Sequence, residues 1–134
     1  MRKLTKKEKS IKSIKRLAWK VLSEYIRRRD KGVCTTCGKV APWKEMDCGH
    51  YLRNTERNAE LGGNALWYDE RNFGCQCFRC NRMQSGEGAI FAVKLKARGI
   101  DIAKLYQLWR KPKKWTREEI EKVIEYYESL SKLI

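Results

Sequence analysis

Two cysteine pairs of identical spacing constrain this chain more than anything else in it: Cys34-Thr-Thr-Cys37 and Cys77-Phe-Arg-Cys80, with 39 residues between them. A CxxC turn brings two thiolates to one side of the backbone. Two such turns supply the four soft ligands of a closed, tetrahedral structural zinc site. Gly38, directly after the first pair, suits the tight bend that turns backbone N–H groups toward the sulfurs. The chain is therefore expected to fold around Zn²⁺ held by Cys34, Cys37, Cys77 and Cys80, with residues 38–76 as an insert closed by the metal. Cys48 and Cys75 fall outside this set and read as small packing hydrophobes. A second metal site using Cys48, Cys75 and His50 is the alternative.

The metal reading needs reduced thiols. The N-terminus, MRKLTKKEKSIKSIKR, is basic and lacks the apolar segment and cleavage site of a signal peptide. No apolar run approaches the roughly 20 residues of a membrane helix. A cytoplasmic protein without membrane contact is expected, in a compartment where paired cysteines favour metal over disulfides. The 134 residues suit a single domain, 1–134, with a modest core. Net charge is +15, and residues 1–31 hold 13 Lys or Arg against three acids. Charge this large and this lopsided points to a polyanion, nucleic acid above all, bound with a steep salt dependence.

The fold class expected is α+β and mostly helical. Residues 1–31 read as a basic N-terminal helix, 32–98 as a zinc-framed core, and 99–134 as C-terminal helices. The first helix is expected over 8–29, where Ile11, Ile14, Ala18, Val21 and Tyr25 form an apolar stripe. Lys12, Lys15, Arg16, Lys20 and Arg27–Arg29 remain for its polar, phosphate-facing side. A strand should lead into Cys48-Gly49-His50-Tyr51. Residues 53–65 read as a loop, Leu66-Trp67-Tyr68 as a strand, and Asp69–Asn72 as a turn before Phe73–Gln76. A helix is expected to begin near Cys77–Cys80, to break at Ser85–Gly88, and to resume from Ile90 to Arg98, capped by Gly99. Short helices follow at Asp101–Trp109 and, behind the capping box Thr116-Arg-Glu-Glu119, to about Leu130. The apolar stripes of the first and last helices are open to a second subunit or to the core. Trp43, Trp67 and Trp109 read as packing residues, while Trp19 and Trp115 are open to packing or base stacking.

Between the knuckles lies the only histidine, His50. The order strand with His50, loop, strand with Asn72 near its start, helix with Asn81 resembles the His-Me finger (HNH-type) nucleases, here in an H-N-N version. Phage endonuclease VII is similar in having a thiol pair followed at once by Asn. A wider resemblance, over nearly the whole length, is to the phage lambda NinG (Rap) recombination family. It is carried by the basic helix before a thiol pair, Gly49-His50-Tyr51, Arg53, Leu66-Trp67-Tyr68, Asn72, Gln76-Cys77, Cys80-Asn81, Ser85-Gly86 and the terminal Trp115-Thr116 helix.

The resemblance implies a small ββα-metal core on the four-cysteine zinc framework. It implies an endonuclease acting on branched recombination DNA such as Holliday junctions and D-loops, in a bacterial host cytoplasm. In that reading His50 is the general base, since a neutral imidazole titrates near working pH. Asn81 offers an oxygen ligand to a catalytic Mg²⁺ or Mn²⁺, Asn72 holds the loop or the His50 ring, and Arg53 clamps a phosphate oxygen. Many HNH sites carry Asp directly before the first His. Here that residue is Gly49, so Asp47 is the nearest carboxylate, with Glu60 or Asp69 as alternatives. Two cuts across a twofold-symmetric junction favour a homodimer. The competing expectation is a non-catalytic zinc-containing DNA-binding or recombination accessory protein, which has no need of His50, Asn72 and Asn81 together.

Overall fold

The computed structural model describes residues 10–54 and 63–134. They form a mixed α+β fold, mostly helical, with one small two-stranded sheet. In chain order the regular elements are α1 (Ile11–Arg29), β1 (Asp47–His50), β2 (Phe73–Gln76), α2 (Gly88–Ala97), α3 (Ile102–Trp109) and α4 (Arg117–Ser131).

Helix α1 opens on Ser10, whose hydroxyl accepts the Ser13 amide; residues 8 and 9 of the expected helix lie outside the described residues. Its stripe is buried at Ile14, Ala18 and Tyr25, joined by Leu22 and Ile26, while Ile11 stays 43% exposed. Helix α4 begins with the expected capping box, Thr116 and Glu119 bonding reciprocally. Its Ile120, Ile124 and Tyr127 pack against the α1 stripe in one core cluster with Cys48, Tyr68 and Phe73. The two stripes therefore face each other within one chain, and neither is left as a ready dimer face. Each buried Leu or Ile there contributes about 1.5–3 kcal/mol.

The end of α1 is tied to the sheet by ions. Asp30 accepts the Cys75 amide (2.8 Å) and pairs with Arg29 (2.9 Å) and Arg98 (3.5 Å). Arg29 also donates to the carbonyls of Glu70 and Phe73. That corrects the reading of Arg29 as a phosphate-facing cation, because its guanidinium satisfies buried carbonyls instead. Lys12, Lys15, Arg16 and Lys20 do remain exposed along α1.

Leu66-Trp67-Tyr68 is not a strand. The Asn64 side chain accepts the Leu66 amide, its carbonyl accepts from Trp67, and Asp69 donates to the Leu66 carbonyl. These local bonds coil the segment into turns and outcompete a ladder. Its apolar character is still used, since Leu66 and Tyr68 are buried and Tyr127 Oη donates to the Tyr68 carbonyl. Most of the expected 53–65 loop lies outside the described residues, and Glu60 with it. After β2 the helix expected at the second knuckle is a single π-helical turn, Arg79–Met83, closed by Gln84 N–H on the Arg79 carbonyl. Ser85, Gly86 and Glu87, all at positive φ, break it as expected. Helices α2 and α3 then form a third cluster through Phe91, Leu95 and Leu105, against Leu52 and Leu66.

The sheet pairs Asp47 with Gln76, Cys48 with Cys75, Gly49 with Gly74 and His50 with Phe73. This register explains Gly49. A Cβ there would meet Gln76 Oε1 at 1.9 Å and Cδ at 2.7 Å. Gln76 is fully buried and donates Nε2 to the Gly86 carbonyl at 2.9 Å, so it cannot swing aside without breaking that bond. Gly49→Ala is expected to destabilise the fold by about 1–3 kcal/mol. Adding Gln76→Ala to it should recover part of the loss in denaturant melts; additive losses would refute the clash.

Candidate functional site

The four knuckle sulfurs come together. Single ligand atoms of Cys34, Cys37, Cys77 and Cys80 all lie within 4.8 Å of one another, with Cys37 Sγ 3.7 Å from Cys77 Sγ. Tetrahedral Zn–S bonds of about 2.3 Å place sulfurs close to 3.8 Å apart, so the donor set fits one zinc with little movement. The first knuckle is shaped by Gly38, at φ 80°, whose amide donates to the Cys34 carbonyl. Burial pushes the Cys34 thiol up, but hydrogen bonds from the Cys37 backbone and the Thr36 hydroxyl outweigh it and bring the thiol down to about 6. Burial holds Cys80 up at about 12. A bound cation would reverse that and keep all four as thiolates.

Cys48 and Cys75 pair across the strands but stay out of this set. Cys48 belongs to the α1–α4 core cluster, and Cys75 packs behind the knuckles with Met46. Burial raises both thiols, Cys75 to about 12. They are packing residues. Among the described residues, the four-thiol set is the one cluster of His, Cys, Asp or Glu that could hold a metal, so Cys48, Cys75 and His50 form no second one.

His50 and Asn81 meet in one cleft. A cavity of about 470 Å³ is lined by His50, Arg53, Asn54, Asn81, Arg82 and Ser85. An adjoining one of about 370 Å³ shares His50, Asn81 and Arg82 and reaches Trp19 and Asp47. His50 arrives at the end of β1, Asn81 directly after Cys80 on the π-helical turn. Asn81 donates Nδ2 to Asp47 Oδ2 (3.1 Å), and Arg82 Nε pairs with the same oxygen (3.2 Å). Asp47 therefore stands beside Asn81, where Gly49 offers no side chain. Asp69 lies elsewhere, bonded to Arg71.

Asn72 does not enter the cleft. It is buried, accepts the Leu52 amide (2.9 Å) and donates to the Leu52 carbonyl (3.0 Å), while its own carbonyl accepts Tyr51. This clasp fixes the chain just after His50 and just before Arg53. Arg53 is held from its other side by Trp109, whose indole donates to the Arg53 carbonyl.

Two neighbours of the site are not legible as such from sequence. Trp19 of α1 stacks on His50, with centroids 5.2 Å apart and planes within 6°. Phe73 closes the other contact at 4.8 Å. The signal for Trp19 is its place at the edge of the apolar face of α1, three and seven residues before the buried Leu22 and Ile26. Arg82 is hidden in a general excess of arginine. The aromatic walls change the chemistry of His50: desolvation first, then the positive charge of Arg53, push its pKa from 6.5 to about 4. His50 is therefore neutral at working pH, and titrates well below it in the free protein.

A larger cavity, about 630 Å³, lies between the Tyr68–Arg71 turn and α4 and is rimmed by Asp69, Glu70 and Glu119. Arg71 and Lys122 line it as well, and it holds no residue of the cleft.

The family model described as "Bacteriophage Lambda NinG protein" matches residues 1–134. The chain belongs to that phage family. No curated protein and no solved structure matches it. Among the described residues no helix is long and apolar enough to cross a membrane.

Two outcomes are expected. Purified protein should carry one zinc per chain by elemental analysis; Cys34→Ser or Cys80→Ser should lose it, and Cys48→Ser should keep it. The His50 shift also sets an acid limit. Between about pH 6.5 and 4 the unfolded chain binds a proton at His50 that the folded chain does not. Stability from this group is thus complete above about pH 6.5 and drains away as pH falls toward 4, by about 2 kcal/mol at pH 4.5. Denaturant melts at pH 7 and 4.5 should show a smaller acid loss for His50→Gln than for wild type; equal losses would refute the shift.

Proposed function

We propose that this NinG-family chain is a metal-dependent endonuclease that hydrolyses phosphodiesters in branched recombination DNA such as Holliday junctions and D-loops. The observation that carries this reading is the cleft in which a neutral His50 faces Asn81 between two arginines. The order β1, β2 and a helical turn bearing Asn81 supports a His-Me finger core, shortened in its helix.

This reading assigns each residue a role. Arg53 and Arg82 hold the non-bridging oxygens of the scissile phosphate. The uncharged imidazole of His50 takes a proton from the attacking water as its oxygen bonds to phosphorus, and the 3′ oxygen leaves. The phosphate's negative charge offsets that of Arg53 and raises the basicity of His50 above its value in the free protein. The Asn81 amide oxygen and the Asp47 carboxylate would hold a hard divalent ion, Mg²⁺ or Mn²⁺, with phosphate and water completing its shell. Such an ion, when bound, stabilises the charge that builds on the leaving oxygen. Trp19, Phe73 and the Asn72 clasp keep the imidazole and Arg53 in place. Paired cuts favour a homodimer acting in the cytoplasm of the bacterial host.

A second reading draws on a specific observation. A histidine stacked on Trp19, in tilted contact with Phe73 and shifted to about 4 also suits a packing residue in a zinc-containing DNA-binding or recombination accessory protein. Incubation of a synthetic four-way junction with wild type and His50→Ala, in Mg²⁺ or Mn²⁺, separates them. Cleavage by wild type and a loss of about 10²–10⁴-fold in His50→Ala are expected. Binding without any cut under either ion would leave the accessory role.

A further inference from the structure

The π-helical turn beside the cleft points apolar side chains into solvent. Phe78 is 55% exposed and Met83 is 69% exposed. Phe78 lies between two cluster thiols, Cys77 and Cys80, so the knuckle fixes its backbone while more than half of the residue stays exposed. Exposing an aromatic ring on a rigid turn contributes nothing to folding and suggests a ligand instead.

Its neighbours indicate the kind. The Arg82 guanidinium lies 5.2 Å from the centre of the Phe78 ring. The same side chain pairs with Asp47, which accepts from Asn81. A short run of contacts thus joins the Phe78 ring to the cleft of His50 and Asn81. Arg79 on the same turn is exposed as well. A flat apolar surface bordered by guanidinium groups, on a chain of net charge +15, complements a flat apolar group carried on a polyanion: a nucleobase. In continuous duplex both faces of each base are already stacked. At a branch point, or where strands separate, a face is open.

We propose that Phe78, with Arg82 and Met83, is a stacking platform that receives an unstacked base at a DNA branch point and so directs the neighbouring cleft to branched rather than continuous duplex DNA. The inference rests on the reading of that cleft as one that acts on branched DNA. The platform selects by shape, because every base has a π face, and little sequence preference follows from it. The phosphate contacts of Arg53 and the α1 lysines are common to both substrates and do not discriminate.

The test is binding, and so does not depend on cleavage. A four-way junction carrying 2-aminopurine beside the branch point, and a linear duplex with the same label, are titrated without added magnesium. The proteins are wild type, Phe78→Ala, Phe78→Trp and Phe78→Ala/Met83→Ala, each with its zinc content and melting temperature checked against wild type. Wild type should bind the junction more tightly than the duplex and change the 2-aminopurine fluorescence. Phe78→Ala should lose about tenfold in junction affinity, with duplex affinity almost unchanged, and Phe78→Trp should restore it. If wild type prefers the junction and the double variant keeps both the preference and the fluorescence change, the platform is refuted and the cleft reading stands. If wild type binds junction and duplex equally, the branched-substrate reading falls, and the platform with it.

Discussion

Four sulfurs gathered from two ends of a 39-residue insert are the constraint on which the rest depends. Four thiols within 4.8 Å of one another repel as thiolates unless a cation sits at their centre. A zinc ion held there would turn that repulsion into folding free energy, because no such site exists in the unfolded chain. Closing the cluster brings the end of β2 and the π-helical turn under the first knuckle. That turn carries Asn81 and Arg82, so the placement of the cleft follows from the placement of the sulfurs.

A second set of forces fixes the other wall. The α1–α4 core holds α1 across the sheet, and the Asp30 network pins its end to Cys75, Arg29 and Arg98. With α1 seated there, Trp19 lies flat on His50. The basic helix thereby has two uses. It carries exposed lysines, and it desolvates the imidazole. The second use has a cost, because a histidine shifted to about 4 is a weak base. In the proposed nuclease a phosphate in the cleft would offset the part of that shift that comes from Arg53.

Several features were legible in sequence because a local rule decided them. Ser85-Gly86 breaks the turn, and Gly99 takes the positive φ that ends α2. Thr116 and Glu119 make the capping box. The two CxxC spacings predict their own convergence. Other features failed for equally physical reasons. Leu66-Trp67-Tyr68 has strand composition, but Asn64 captures its backbone, and a side-chain bond two residues away competes with any ladder to a distant strand. Arg29 reads as a surface cation, yet the carbonyls of Glu70 and Phe73 need its donors. Gly49 reads as a missing ligand. The pairing with Gly74 and the buried Gln76 beside it show instead a position that no side chain can occupy.

By itself, then, the sequence determined the mixed, mostly helical class, the four zinc-type thiols, the main helix stops and caps, and the strong positive charge. Each of these is set by spacing, composition or a contact within a few residues. Only the tertiary structure decided that the stripes of α1 and α4 satisfy each other, that Asp47 stands beside Asn81, and that Trp19 and Phe73 both touch His50. It also decided that Phe78 is left exposed beside Arg82. Those outcomes depend on the strand register and on which helix face meets the sheet. Both are contests among contacts distant in sequence, and no single stretch of the chain carries their result.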